Sequence, residues 1–270
     1  MRTQGSSYGQ SWWKTASAGG ARPAPVPRHR RRWFRLVLKA VLGLLLIVVA
    51  GAAFIMAITP SVGSAWSLAR KEATAHHAPF PGPPVSHRFS AALIATEDHR
   101  FGSEPGVDPI AIGRVLFAGI TGGGDQGGAT LYQQVAKVLY TPNQGGVPTE
   151  IKQIALAIKL KYSYTDPQVL RMYAAIVYFG HGFYGLQAAS CGYFGRQPNH
   201  LSWPQAAVLA GLVQAPSAYD PLVFPRLARS REQHVISRLV ATTMLTSRQA
   251  AKAMAVPISS LTASAGGCRA

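Results

Sequence analysis

The sequence predicts a mainly α-helical domain behind one membrane-spanning helix near the N-terminus. Three observations carry this. From Ala40 to Ile58 there are 19 consecutive uncharged residues rich in Leu, Val, Ile and Ala. Between about Ser90 and Val240, apolar residues recur at helical spacing, with cap signatures between the runs. No convincing run of alternating strands accompanies them.

The elements follow in chain order. Residues 1–39 contain nine Lys and Arg and no Asp or Glu. Residues 1–27 are rich in Ser, Gly, Pro and Ala and read as disordered, so 1–35 is drawn as a basic cytoplasmic tail. At about 1.5 Å per residue, Ala40–Ile58 spans roughly 28 Å, close to the hydrocarbon thickness of a bilayer. Arg28, Arg30, Arg31, Arg32, Arg35 and Lys39 crowd its N-terminal side, and Trp33 and Phe34 suit the headgroup level. The positive-inside bias then keeps the N-terminus in the cytoplasm and exports the remainder, with a signal anchor over residues 36–59 of a plasma membrane protein. A cleaved signal peptide is the alternative, but its n-region would be long and no clear A-x-A site follows Ile58. The arginine pair only weakly resembles a twin-arginine signal.

The net charge of +17 is concentrated in that tail; residues 40–270 hold 18 Lys and Arg against 10 Asp and Glu. The surplus still favours anionic partners. For an exported domain these are phospholipid headgroups and phosphorylated lipids rather than nucleic acid, for which no motif is present. Export would permit a disulfide between Cys191 and Cys268. Cys268 lies in a Gly/Ala/Ser tail expected to be frayed, so the sequence itself does not support the bridge.

Residues 60–86, with several Pro and Gly, are expected to form a stalk, 87–245 the folded domain, and 246–270 a tail whose last part, 255–270, is unstructured. Asp108-Pro109 and Asp166-Pro167 read as helix starts with Asp as N-cap. After the second, Val169, Met172, Tyr173, Ile176 and Val177 line one apolar face. Ile151, Ile154, Ala155 and Ile158 mark another amphipathic helix. Ser202 and Gln205 fit a capping box ahead of an apolar run that stops at Pro216. The glycine-rich stretch Gly119–Gly128 lacks the Gly-Lys-Ser/Thr ending of a nucleotide-binding loop; a flap and a plain linker both remain open.

Acidic residues are scarce, and four of the ten fall between Glu97 and Asp108. Glu97 ends an apolar stretch, which places its carboxylate at the edge of a core, where partial desolvation raises its pKa towards general-base range. A merely solvated acidic cluster is the other reading of these residues alone.

The order of several segments resembles glycosyltransferase family 51, the transglycosylase domain of class A penicillin-binding proteins and of monofunctional peptidoglycan glycosyltransferases. Glu97-Asp98-x-x-Phe101 followed by Gly106-Val107-Asp108 looks like its first motif. Gly128-Ala-Thr130-Leu-Tyr-Gln133-Gln134-Val-Ala-Lys137 is similar to its second, G-S-T-I-T-Q-Q-L-x-K. The stretches from Val177 to Ala189 and from Leu209 to Pro221 are equally typical. The resemblance covers roughly residues 88–240. It implies a lysozyme-like helical fold and a reaction that joins lipid II units into glycan strands, releasing undecaprenyl pyrophosphate. It also implies Glu97 as general base, with Asp98 ordering the site. Lys137 is the cation for the pyrophosphate, with Arg100 and Arg114 as further candidates. Phe101, Thr130, Gln133, Gln134, Lys152, Gln153, Tyr173 and Arg231 complete the candidate substrate contacts. The implied partners are lipid II, the growing strand, the membrane and other cell-wall synthases.

The departures are specific. The third motif, normally R-K-x-x-E, aligns with Thr149-Glu150-Ile151-Lys152-Gln153, so an amide stands where the family has a carboxylate. Gln153 can hydrogen-bond phosphate but cannot bind a divalent cation as a carboxylate does. No cofactor is certain; a divalent cation, Mg2+ or Mn2+, would have Glu150 as its candidate ligand. Glu104 replaces the first-motif His. Arg171 and Ala175 stand for the fourth motif's Glu and Asn, while Tyr173 stays, and Arg231 is one of the fifth motif's two arginines. A polymerase is the leading expectation and a lipid II-binding scaffold without activity the alternative. A glycan hydrolase is disfavoured because it commonly needs a second carboxylate. No transpeptidase domain is expected after residue 240.

Overall fold

The structure is a computed structural model that describes residues 28–108, 129–262, 265 and 268. Residues 1–27, Pro109, Arg114 and the Gly119–Gly128 loop lie outside the described residues, as do the expectations attached to them. The chain divides between Phe54 and Ile55 into two compact units.

Helix α1 (Arg28–Ile58) supplies the described part of the first unit, up to Phe54. Within it Trp33–Ile58 is 26 residues long with a mean hydropathy of 2.9, long and apolar enough to cross a membrane. Its large apolar side chains, among them Leu45, Leu46, Ile47 and Phe54, are exposed. In water that would be unfavourable; in hydrocarbon it is what a spanning helix presents, every backbone polar group being satisfied within the helix. It is a single-pass anchor with the domain on the extracytoplasmic side.

The regular structure of the second unit is helical among the described residues, apart from one isolated bridge between Tyr178 and Tyr184. Its helices are α2 (Ala65–Ala75), α3 (His87–Glu97), α4 (Leu131–Tyr140), α5 (Val147–Ser163), α6 (Asp166–Ile176), α7 (Leu186–Phe194), α8 (Trp203–Leu212), α9 (Pro225–Ala241), α10 (Ser247–Met254) and α11 (Ile258–Leu261). Helix α8 is the axis of the core. Its start is set by the Ser202–Gln205 capping box, and every residue from Pro204 to Leu212 is buried. A helix apolar all round must be covered on all sides, and α3, α9, α10 and α7 pack against it. A second group forms where α4 packs on α5 and α6, through Leu131, Tyr132, Val135, Leu156, Leu160, Val169 and Met172.

Three expectations change. Residues 60–86 are not a simple stalk: Val62, Ala65, Ala69, Ala73 and Ala78 are buried in the core, and α2 packs against α6 and α4. Its apolar face is written in alanines, which let two helix backbones approach closely. The described part of the C-terminal segment is not unstructured either, Ile258–Leu261 being helical. Thr246 and Gln249 cap α10 reciprocally. Arg229 on α9 donates to the carbonyls of Met254 and Val256 and pairs with the fully buried Glu232. Cys191 at the end of α7 is bonded to Cys268, with Cα atoms 4.7 Å apart. The third change is a shift of one residue: the N-cap of α6 is Thr165, boxed with Gln168, and Asp166 is the first helical residue. That frees the Asp166 carboxylate to accept hydrogen bonds from Tyr132 and Lys161.

Candidate functional site

The site is built where α3 ends. Helix α3 buries Phe89, Ala92 and Leu93, and this fixes Glu97 in its last turn at the margin of the core. The Glu97 side chain is 15 % exposed, and its Oε1 accepts from Arg231 Nη2 at 3.1 Å. Arg231 is itself held: its Nε donates to the Gly211 carbonyl at 3.2 Å and its guanidinium lies over the Tyr219 ring. Gln134 on α4 reaches Glu97 as well, and its Oε1 accepts from the Tyr173 hydroxyl at 2.8 Å. Four elements thus converge on one carboxylate.

Burial pushes the Glu97 carboxyl above its ordinary value, and the neighbouring Asp98 adds to the rise; the Arg231 guanidinium and the Gln134 side chain pull the other way without cancelling it. A base whose proton affinity is raised but still tethered to a cation suits proton abstraction. Tyr173, fully buried and facing Glu97, is held far into its neutral form, so it serves as a hydroxyl donor.

Asp98 turns inward. Its Oδ2 accepts the backbone N–H of Leu131, at the start of α4, at 2.9 Å. This bond ties the loop after α3 to the second helix group. The same loop, Asp98–Asp108, is pinned again by Lys161 Nζ to the Gly102 carbonyl at 2.9 Å and by Thr130 Oγ1 to the Gly106 carbonyl at 2.8 Å. Arg100 pairs with Asp108.

Gly106 is required there. It sits at φ +86, and a Cβ would stand 2.6 Å from the Ala157 carbonyl oxygen and 3.0 Å from Lys161 Cβ. Gly106→Ala is therefore expected to cost about 3 kcal/mol or more, combining the left-handed penalty with overpacking. A thermal melt reads this directly, and a Tm within about 1 °C of wild type would show the loop to be adaptable.

The other sequence candidates are placed as follows. Thr130 and Gln133 form the capping box of α4, Thr130 N donating to Gln133 Oε1 and Gln133 N to Thr130 Oγ1; both are spent on the helix start. Phe101 stacks on Tyr132 with ring centroids 5.0 Å apart. Lys137 is exposed on the last turn of α4. Gln153 Nε2 donates to Thr141 Oγ1 at 2.9 Å, so the residue in the place of the missing carboxylate bridges α4 to α5. Lys152 is half-buried and Glu150 exposed in the first turn of α5. Among the described residues the charged groups acting on Glu97 are Arg231 and Asp98; Glu150 is not one of them. Among the described residues no group of three His, Cys, Asp or Glu side chains could hold a metal ion, and the donor set around Gln153 does not fit a divalent cation.

Sequence reasoning missed the brace behind the site. Lys161 donates to Asp166 and to the Tyr132 hydroxyl as well as to Gly102. Burial would raise the Asp166 carboxyl, but the hydrogen bonds from Lys161 and Tyr132 outweigh this and hold it below its ordinary value. The signal available was weak, a Lys and an Asp five residues apart across a helix junction.

Comparison with known proteins gives the family. Residues 67–240 match the family described as transglycosylase. Penicillin-binding protein 1F of Bacillus subtilis (strain 168) is 35% identical over 156 residues, 57% of this chain and 22% of that protein. Penicillin-binding protein 1A of Neisseria flavescens is 35% identical over 164 residues, 60% of this chain and 21% of that protein. A crystal structure of penicillin-binding protein 1A from Haemophilus influenzae superposes with a TM-score of 0.34 and 30% identity, over 36% of this chain and 14% of that one. The chain spans about a fifth of the length of the two curated relatives it matches here.

Proposed function

Because the chain belongs to the transglycosylase family, we propose that it is a membrane-anchored peptidoglycan glycosyltransferase that polymerises lipid II. The observation that supports this best is Glu97, buried at the end of α3 with Arg231, Gln134 and Tyr173 converging on it. In the proposed step the acceptor sugar hydroxyl gives its proton to Glu97. Its oxygen bonds to the donor anomeric carbon, and the bond from that carbon to the pyrophosphate oxygen breaks, the electron pair leaving with undecaprenyl pyrophosphate. The leaving group is already stabilised, so the step needs a base and positive charge rather than a strong acid. Lys137, exposed on α4, is the cation proposed for the pyrophosphate, and Gln134 the hydrogen-bonding partner of substrate oxygens. Asp98 acts by holding the loop that follows the base.

The anchor fits this substrate, since lipid II and its product share the bilayer that α1 would span; tethering raises their effective concentration at the domain. Other cell-wall synthases are the proposed protein partners.

One observation favours a second reading, a scaffold that binds lipid II without joining it. Gln153 is an amide tied to Thr141, and the nearest carboxylate in sequence, Glu150, is exposed. The full chain reconstituted with labelled lipid II decides between them. Glycan polymer is the expected result; tight binding of lipid II with no polymer would leave the scaffold.

A further inference from the structure

The loop that carries Asp98 turns back on itself, with Phe101 N donating to the Asp98 carbonyl and Ser103 N to that of Arg100. This brings Glu104 onto the Asp98 carboxyl. Both are sealed off, Asp98 being 6 % exposed and Glu104 5 %. Asp98 Oδ2 takes the Leu131 N–H. Among the described residues no N–H or O–H group donates to either oxygen of Glu104; the group it meets is Asp98. Two ionised carboxylates are both acceptors and cannot bond, and two buried like charges in contact are strongly unfavourable. One proton between them resolves both problems.

We propose that Glu104 is a positioning residue: protonated, it donates to Asp98, and this acid–carboxylate pair locks the loop behind Glu97. The inference deepens the polymerase reading and rests on it for the site's purpose, but the pair itself does not depend on it. Among the described residues the charged groups facing Glu104 are Asp98 and Asp108, which favour its neutral form, and Arg100, which opposes it. The neutral hydroxyl of Tyr132 lies nearby on α4. Burial, then the charge and hydrogen bond of Asp98, push the Glu104 carboxyl up to about 8.

The native chain keeps the Glu104 proton to about 8, whereas the unfolded chain loses it near 4.5. Its stabilisation is therefore complete below about 4.5 and lost as pH rises towards about 8. Glu104→Gln keeps a neutral donor that does not titrate. For the full chain in detergent, the Tm of Glu104→Gln relative to wild type is expected to rise by on the order of 5 °C between about pH 5 and pH 8.5. Difference infrared spectra of wild type between mildly acid and alkaline pH should show the carbonyl band of a protonated carboxylic acid that Glu104→Gln lacks. With lipid II, the wild-type rate should fall above about pH 8 while that of Glu104→Gln holds.

Absence of the band together with parallel Tm profiles overturns the pair. Identical rate profiles for the two proteins overturn the positioning role. If wild type makes no polymer at any pH, the polymerase reading fails, yet the infrared and melting results still decide whether Glu104 and Asp98 share a proton.

Discussion

Glu97→Gln should lower the lipid II polymerisation rate by about 10²–10⁴-fold, the range a positioned general base contributes. The fold should survive. Glutamine can still accept from Arg231 Nη2, which now lies 3.1 Å from Glu97 Oε1, and a neutral amide no longer resists burial. Binding of lipid II should persist within a few-fold, so the loss would fall on the chemical step. The pH profile sharpens the test. Burial holds the Glu97 carboxyl above its ordinary 4.5, so the base is protonated and idle further up the pH scale than a solvated glutamate would be. The rate should climb with pH through that displaced titration. Arg231→Gln removes the guanidinium that lowers this carboxyl, and should move the acidic limb to still higher pH. A Glu97→Gln protein that polymerises at wild-type rate would remove Glu97 from the mechanism and, with it, the main support for the proposed reaction.

How much of this was legible beforehand depended on what kind of residue carried the information. Helix starts written as polar caps before apolar runs, such as Ser202–Gln205, are local chemistry and were readable in sequence. Helix α2 was not, because its buried face is Ala65, Ala69 and Ala73; alanine has the right spacing but too little hydrophobicity to stand out among glycines and prolines. Helices α10 and α11 are short, and Arg229 on α9, far back in the chain, donates to the carbonyls of Met254 at the end of α10 and of Val256 in the link to α11. The candidates were visible as motifs, and the structure brings Gln134, Tyr173 and Arg231 together around Glu97, with Asp98 beside it. What motifs could not convey was division of labour. Thr130 and Gln133 cap α4, Gln153 ties α4 to α5, and Glu104 meets Asp98 only because the loop folds back.

The disulfide is the second place where a large effect is expected. Cys191 and Cys268 close a loop of 77 residues, and on the chain-entropy account such a cross-link stabilises by about 4 kcal/mol, by restricting the unfolded chain. Reduction, Cys191→Ser and Cys268→Ser should each lower the Tm by on the order of 8–16 °C, and the double variant by no more than either single one. Native contacts bear on how the loss is distributed. Helix α9 already holds the C-terminal helices through Arg229, and its partner Glu232 is fully buried. Hydrogen exchange after reduction should therefore rise beyond Leu261 while α9 and α10 stay protected until global unfolding. The bridge also bears on compartment. A disulfide persists outside the reducing cytosol, so its presence in purified native protein would report the side of the membrane independently of the arginines before α1. Oxidised and reduced protein melting together would remove the stabilisation, and two free thiols in the native protein, counted by alkylation, would remove this second line of evidence for export.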